Sequence, residues 1–262
     1  MITRRAGLLA GLSGCAGPGL AQGRGELALS NTPALASHRI GAADDPDLIL
    51  RWNAPPAPGA ALDLVLHFHG FTDDARAFDL RRAMGGSGLD LAPVPESGAS
   101  APLLARPTLA MLPRGRPDGR SRGSFDWPAL TAPGGLAAVM GAAIAAFTGA
   151  IGRGGFIRGR VTLTAHSGGG GGLLRALDQA GREGLQVDRV IAYDALYRSP
   201  EPLLRWARAT PGASLTVAYG PGSNTENAQA VGRGFPAARL IRAQVAHGDI
   251  PRFYGWRLLA EG

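Results

Sequence analysis

Between Arg160 and Arg175 the hydrophobic period of the chain changes abruptly. Val161, Leu163 and Ala165 alternate with Thr162 and Thr164, the two-residue period of a β-strand whose side chains point to opposite faces. Leu173, Leu174 and Leu177 then recur at helical spacing, with Arg175, Asp178 and Gln179 between them. A strand therefore runs straight into a helix, and Ser167 sits at the junction between His166 and Gly168. The free N–H groups of the first helical turn lie beside that hydroxyl and can stabilise an anion formed there. The bland alternative is a serine that merely caps the helix.

The rest of the chain repeats the alternation. Strands are expected at Leu48–Trp52, Leu62–Phe68, Thr108–Leu112, Val187–Tyr193, Leu215–Tyr219 and Arg239–Val245. Helices are expected at Ala75–Met84, Leu136–Ile151, Pro200–Arg208 and Pro251–Leu259. Gly25–Ala43 is weakly patterned, and Gly85–Ala105 and Arg116–Gly135 read as long loops. This order predicts an α/β fold: one domain with a mainly parallel sheet and helices on both faces. Ligands of such sheets bind at the C-terminal strand ends. His69, Arg114, Ser167, Asp194 and His247 each fall at or just past one of those ends.

A chain of 262 residues has room for one such domain, and no internal repeat appears. The net charge of +7 rests on arginine alone, because the chain has no lysine. Beside 40 Gly and 20 Pro this reads as a compositional bias. No basic patch interleaved with aromatic residues supports a nucleic-acid partner, and none is expected. The start is more telling. Met1–Arg5 is basic and Ala6–Ala21 is apolar and small, so residues 1–21 read as an export signal ahead of a folded domain at 22–262. Thr3–Leu8 is similar to a twin-arginine signal. Two processing outcomes stay open: cleavage after Gly19-Leu20-Ala21, or a lipobox at Leu12-Ser13-Gly14-Cys15 whose cysteine would carry a lipid anchor. Either outcome predicts a periplasmic or extracellular protein. Membrane contact would come only through that anchor, and the folded part has no disulfide.

Ala165-His166-Ser167-Gly168-Gly169 resembles the nucleophile elbow, G-x-S-x-G, of the α/β-hydrolase family, with Ala165 departing from glycine by one methyl. The resemblance implies a serine hydrolase of the carboxylesterase or lipase kind, with no cofactor and a small-molecule ester, or less readily an amide, as substrate. It implies the order Ser, acid, His. His247 is the only histidine after Ser167 and would be the base. The acid would be Asp194, since a carboxylate ending an apolar strand is costly to bury unpartnered. Glu226, in the segment Gly220–Glu226, is the alternative acid. Oxyanion donors would be the N–H groups of Gly168 and of Phe71, the latter following His69-Gly70. Arg114, Phe125 and Trp127 are weaker substrate-binding candidates, the two aromatics either lining an acyl pocket or anchoring their loop. Gly170, Gly171 and Gly172 are unexpected, since a glycine inside a helix costs up to about 1 kcal/mol; two explanations stay open, a loose first turn or a helix that presses closely on a neighbour.

Other readings compete. The glycine run lacks the lysine of a phosphate loop, and the G-x-G-x-x-G spacing is not met. His67 and His69 share a strand face, as two metal ligands do, so a metal-dependent hydrolase is the enzymatic alternative. A catalytically silent binding protein of the cell envelope with the same fold is the alternative from another class.

Overall fold

The computed structural model describes residues 23–39, 45–84, 89, 91, 104–222 and 224–261. The export segment, Cys15 and most of the loop expected at Gly85–Ala105 lie outside the described residues. The strands are β1 (Gly25–Leu29), β2 (Leu48–Trp52), β3 (Ala61–Phe68), β4 (Thr108–Pro113), β5 (Arg116–Pro117), β6 (Phe125–Asp126), β7 (Ile157–His166), β8 (Arg189–Tyr193), β9 (Ser214–Tyr219) and β10 (Arg239–Arg242). The helices are α1 (Leu80–Met84), α2 (Pro128–Thr131), α3 (Gly135–Ile151), α4 (Gly170–Glu183), α5 (Glu201–Ala209), α6 (Thr225–Gly234) and α7 (Ile250–Ala260). Eight strands form one sheet in the order β1-β2-β4-β3-β7-β8-β9-β10, while β5 and β6 make a separate two-stranded ribbon. β2 runs antiparallel to β1 and β4, and every other pair in the large sheet is parallel.

The two-residue period sorts the side chains into two layers. Leu64, Leu66 and Phe68 of β3 face the layer built with α2 to α6, and Val65 faces the layer of α1 and α7. Val190 and Ala192 of β8 divide from Ile191 and Tyr193 in the same way. Strands covered on both faces are buried along nearly their whole length, so β4 and β8 are apolar at most steps, and the polar residues that β7 buries, Thr162 and Thr164, are small. Each fully buried Leu or Phe here contributes about 1.5–3 kcal/mol.

Three elements differ from expectation for identifiable reasons. β1 shows little pattern because it is the edge strand, with four of its five residues only half-buried and the other exposed. The helix expected from Ala75 shrinks to Leu80–Met84, because the backbone upstream bonds elsewhere: Thr72 N–H donates to Gly123 O and Ala75 N–H to Arg122 O. Glu226, expected in the loop Gly220–Glu226, already lies in the first turn of α6; only Ala228 and Val231 of that helix are buried, too narrow a stripe to read as periodic.

The glycine run also finds its cause. A side chain at Gly169 would overlap the carbonyl oxygen of Phe68, and one at Gly170 that of Ala195. One at Gly172 would run into the Trp127 ring. α4 is therefore pressed onto the ends of β3 and β8, closer than any side chain allows. This close approach offsets the helix-propensity cost of the glycines.

Candidate active site

β7 ends at His166, and the chain turns at once through a 3-10 turn, Ser167–Gly169, into α4. Ser167 pays for that sharpness with a φ of 51°, the left-handed region that residues with a Cβ seldom occupy. The turn is clamped from the side by the end of β3. A Cβ at Gly70 would lie 2.9 Å from both His166 Nδ1 and Ser167 Cβ, so only glycine fits there. The same closeness brings the Phe71 amide alongside Gly168, where an added Cβ would be 3.6 Å from Phe71 N.

His247 arrives from the other end of the chain, on a 3-10 turn just before α7. Its Nε2 is 2.9 Å from Ser167 Oγ, and its Nδ1 is 2.7 Å from Asp194 Oδ2. Asp194 follows β8 with a φ of 45°, a second left-handed residue, and its other oxygen, Oδ1, accepts from Gly220 N–H (2.9 Å) and Asn224 Nδ2 (2.8 Å). Burial pushes the Asp194 carboxyl up. The hydrogen bonds from His247, Gly220 and Asn224 outweigh burial and hold it below the usual carboxylate range. An ionised carboxylate only accepts, so His247 carries its proton on Nδ1 and turns a lone pair on Nε2 toward the serine. A hydroxyl, an imidazole and a carboxylate thus stand in one hydrogen-bonded line.

Chain order along that line is Ser167, Asp194, His247, and all three project from the C-terminal ends of the parallel strands. The chain has the α/β-hydrolase fold. In this α/β-hydrolase fold the serine follows the strand beside β3, the acid follows β8, and the histidine follows β10.

No family model and no curated protein matches the chain. Among solved structures it is similar to a ferulic acid esterase (TM-score 0.47, 12% identity, covering 92% of this chain and 98% of that one). It is also similar to a predicted CIB-like hydrolase from Thermoplasma acidophilum (0.46, 12%, 82% and 90%). A dienelactone hydrolase from Anabaena variabilis gives 0.44 and 14%, over 91% and 96%. Likenesses this distant leave the chemistry to the chain's own residues.

A cleft of about 900 Å³ opens over Ser167 and His247, walled by Phe71, Phe125, Tyr197 and the first turns of α4. Phe71 and Tyr197 are 57% and 47% exposed, large apolar faces turned to solvent at its mouth. Phe125 is half-buried and lines the cleft, packed edge-on against His69. Trp127 does not line it; the ring is fully buried against His38, Phe68 and His69 and so anchors its loop. Arg114 also lies away from the cleft, its buried guanidinium 3.4 Å from Asp45, so it is not a substrate contact. Glu226 is exposed on the first turn of α6, and Asp194 holds the place beside His247 instead.

His67 and His69 are not arranged as metal ligands. Gly115 N–H donates to His69 Nε2 at 2.9 Å, so His69 donates its Nδ1 proton to Gly70 O at 3.0 Å and has no lone pair left. His67 Nδ1 is engaged by Thr164 Oγ1 at 2.8 Å. Among the described residues, no group of three or more His, Cys, Asp or Glu is placed to hold a metal.

Two residues at the site escaped the sequence reading. Asn224 is buried and anchors Asp194 through both its carboxylate and its backbone oxygen. His166 donates from Nε2 to the His247 carbonyl at 3.1 Å, with the two rings 4.8 Å apart, tying the histidine turn to the Ser167 turn. Position next to Ser167 was the only signal for His166, and Asn224 offered none.

Buried neutral histidines make the fold sensitive to acid. Burial lowers His38 to about 4, His69 to about 3 and His166 to about 4, and takes His67 well below its ordinary value. The unfolded chain binds these protons near 6.5 and the folded chain does not, so stability is full above that pH and is lost as pH falls toward 4. Each such group contributes a slope of about 1.4 kcal/mol per pH unit inside that window. Urea melts at descending pH should show the midpoint falling steeply from pH 6.5 to 4 (the window set by His38), and a flat profile there would contradict the neutral burial of these rings.

Proposed function

We propose that the protein is an exported serine hydrolase that cleaves a carboxylic ester, and less readily an amide, through an acyl-enzyme. The observation that carries the reading is the unbroken line from Ser167 Oγ through the His247 ring to Asp194, at 2.9 and 2.7 Å, in a cleft with the Phe71 and Gly168 amides beside it.

Ser167 Oγ attacks the ester carbonyl carbon as its proton passes to His247 Nε2. The carbonyl oxygen takes up the negative charge and is held by the N–H groups of Phe71 and Gly168. Collapse breaks the bond to the alcohol, which leaves with the proton from His247. Water then attacks the acyl-enzyme, giving its proton to the same nitrogen, and the acid departs as Ser167 regains a hydrogen. Asp194 stays ionised throughout and fixes the ring while it is an imidazolium. The segment 1–21 is the export signal in this reading, and it takes the enzyme to the periplasm or outside the cell, soluble or held by a lipid on Cys15. Against the silent envelope-binding protein stands the complete set of Ser167, Asp194 and His247, in order along the chain and within hydrogen-bond distance of one another.

A fluorophosphonate probe should label the purified protein once, at Ser167, and p-nitrophenyl esters of rising chain length should be turned over and blocked by that labelling. Absence of both labelling and turnover would remove the proposal.

A further inference from the structure

Three of the four consecutive glycines at 169–172 are demanded by packing, and Gly171 is not. The atoms nearest to a Cβ there would be Arg198 Nε at 3.4 Å, Arg175 Nη1 at 3.7 Å and Arg198 Cδ at 3.8 Å, ordinary contact distances. Gly171 instead lines the cleft, and its bare backbone leaves open ground between Ser167 and those two guanidinium groups. The two cations lie beside Gly171 in the first turn of α4.

The charges around the cleft do not cancel. Asp126 is taken by Arg175 at 2.8 Å and by Arg116 at 3.2 Å, which also holds Arg175 in place. Asp118 accepts from the backbone N–H of Arg120 and from the Ser124 hydroxyl inside its own loop, and the Arg120 charge faces it. Arg198 has no ion-pair or hydrogen-bond partner among the described residues, although its neighbour Arg175 would repel it. A like-charged pair kept side by side in a cleft, one member fixed and the other free, is the arrangement that an incoming anion would relieve.

We infer that Arg198, with Arg175 beside it, forms an anion subsite, and that the substrate is an ester bearing a second, ionised carboxylate. This rests on the serine-hydrolase reading and names the substrate class for the same cleft. Gly171 is four residues beyond Ser167, across the 3-10 turn and into the first turn of α4, a distance of roughly 6–8 Å. A carboxylate seated on Arg198 therefore lies a short aliphatic spacer away from the scissile carbonyl, as in the half-ester of a C5 or C6 dicarboxylic acid. Phe71 and Tyr197 at the mouth remain for the departing alcohol.

The test compares two substrates that differ only in charge, 4-nitrophenyl hemiadipate and its methyl ester, both read as nitrophenol release. Wild-type protein should prefer the hemiester in kcat/KM, and the preference should shrink as salt is raised. Arg198→Ala should lower the charged-to-uncharged ratio by about 10- to 100-fold, as loss of a charge-assisted hydrogen bond does. Arg198→Lys should keep part of the ratio, a point charge without the planar fork. Equal turnover of both esters by wild-type protein, or an unchanged ratio in Arg198→Ala, overturns the anion subsite and leaves the hydrolase reading standing. Failure to cleave either ester, together with no fluorophosphonate labelling, overturns both.

Discussion

With Ser167 replaced by alanine, turnover of any ester the wild-type protein cleaves should fall by about 10⁴- to 10⁶-fold. The hydroxyl is the group bonded to His247 Nε2, and without it the covalent route closes; what remains is water attack aided by the amides of Phe71 and Gly168. Stability offers an independent check. The φ of 51° at Ser167 is as unfavourable for alanine as for serine, so Ser167→Ala should unfold near the wild-type urea midpoint. Ser167→Gly should be equally inactive yet more stable by about 1 kcal/mol, since glycine adopts that backbone freely. An alanine variant that keeps a tenth of the activity would remove Ser167 from the reaction.

Asp194→Asn should cost about 10⁴-fold in kcat at neutral pH, and Glu226→Gln less than about twofold. The asparagine loss follows from its donors. Gly220 N–H and Asn224 Nδ2 both donate to Oδ1, so an amide at 194 must put its oxygen there and its NH2 toward His247. That NH2 would donate to Nδ1 and drive the ring proton to Nε2, where it faces Ser167 and can no longer accept from it. The side chain is nearly the same size, so folding should be preserved while the tautomer is reversed. Glu226 is exposed on α6 and has no part in this geometry. Kinetics of the two variants, with circular dichroism to verify folding, separate the candidates; the reverse result would move the acid to Glu226.

Much of this was open to reading before any coordinates. The strand at Val161–Ala165, the turn at Ser167 and the strand-helix alternation are written in periods of two and 3.6 residues, which neighbouring side chains carry among themselves. The candidate residues at strand ends follow from that alternation, because a parallel sheet gathers its C-terminal ends on one side. Local pattern misled where a segment takes its hydrogen bonds from outside itself. Thr72 and Ala75 bond to the 122–123 backbone, so a helical pattern there did not become a helix. Arg114 ends β4 as a site residue would, yet its side chain turns to Asp45.

Periodicity was enough to say that this chain builds a mainly parallel sheet with a serine at a tight strand-to-helix junction, since each strand and helix carries its pattern within itself; the burial of that serine and its left-handed backbone were decided by the tertiary structure. Which carboxylate meets His247, across 53 positions, and whether that ring meets Ser167, across 80, depend on strand order and register. So does the demand for glycine at 169, 170 and 172, set by the carbonyls of Phe68 and Ala195 and the ring of Trp127. Contacts between distant segments are chosen by how whole elements pack, and no short stretch of sequence holds that information.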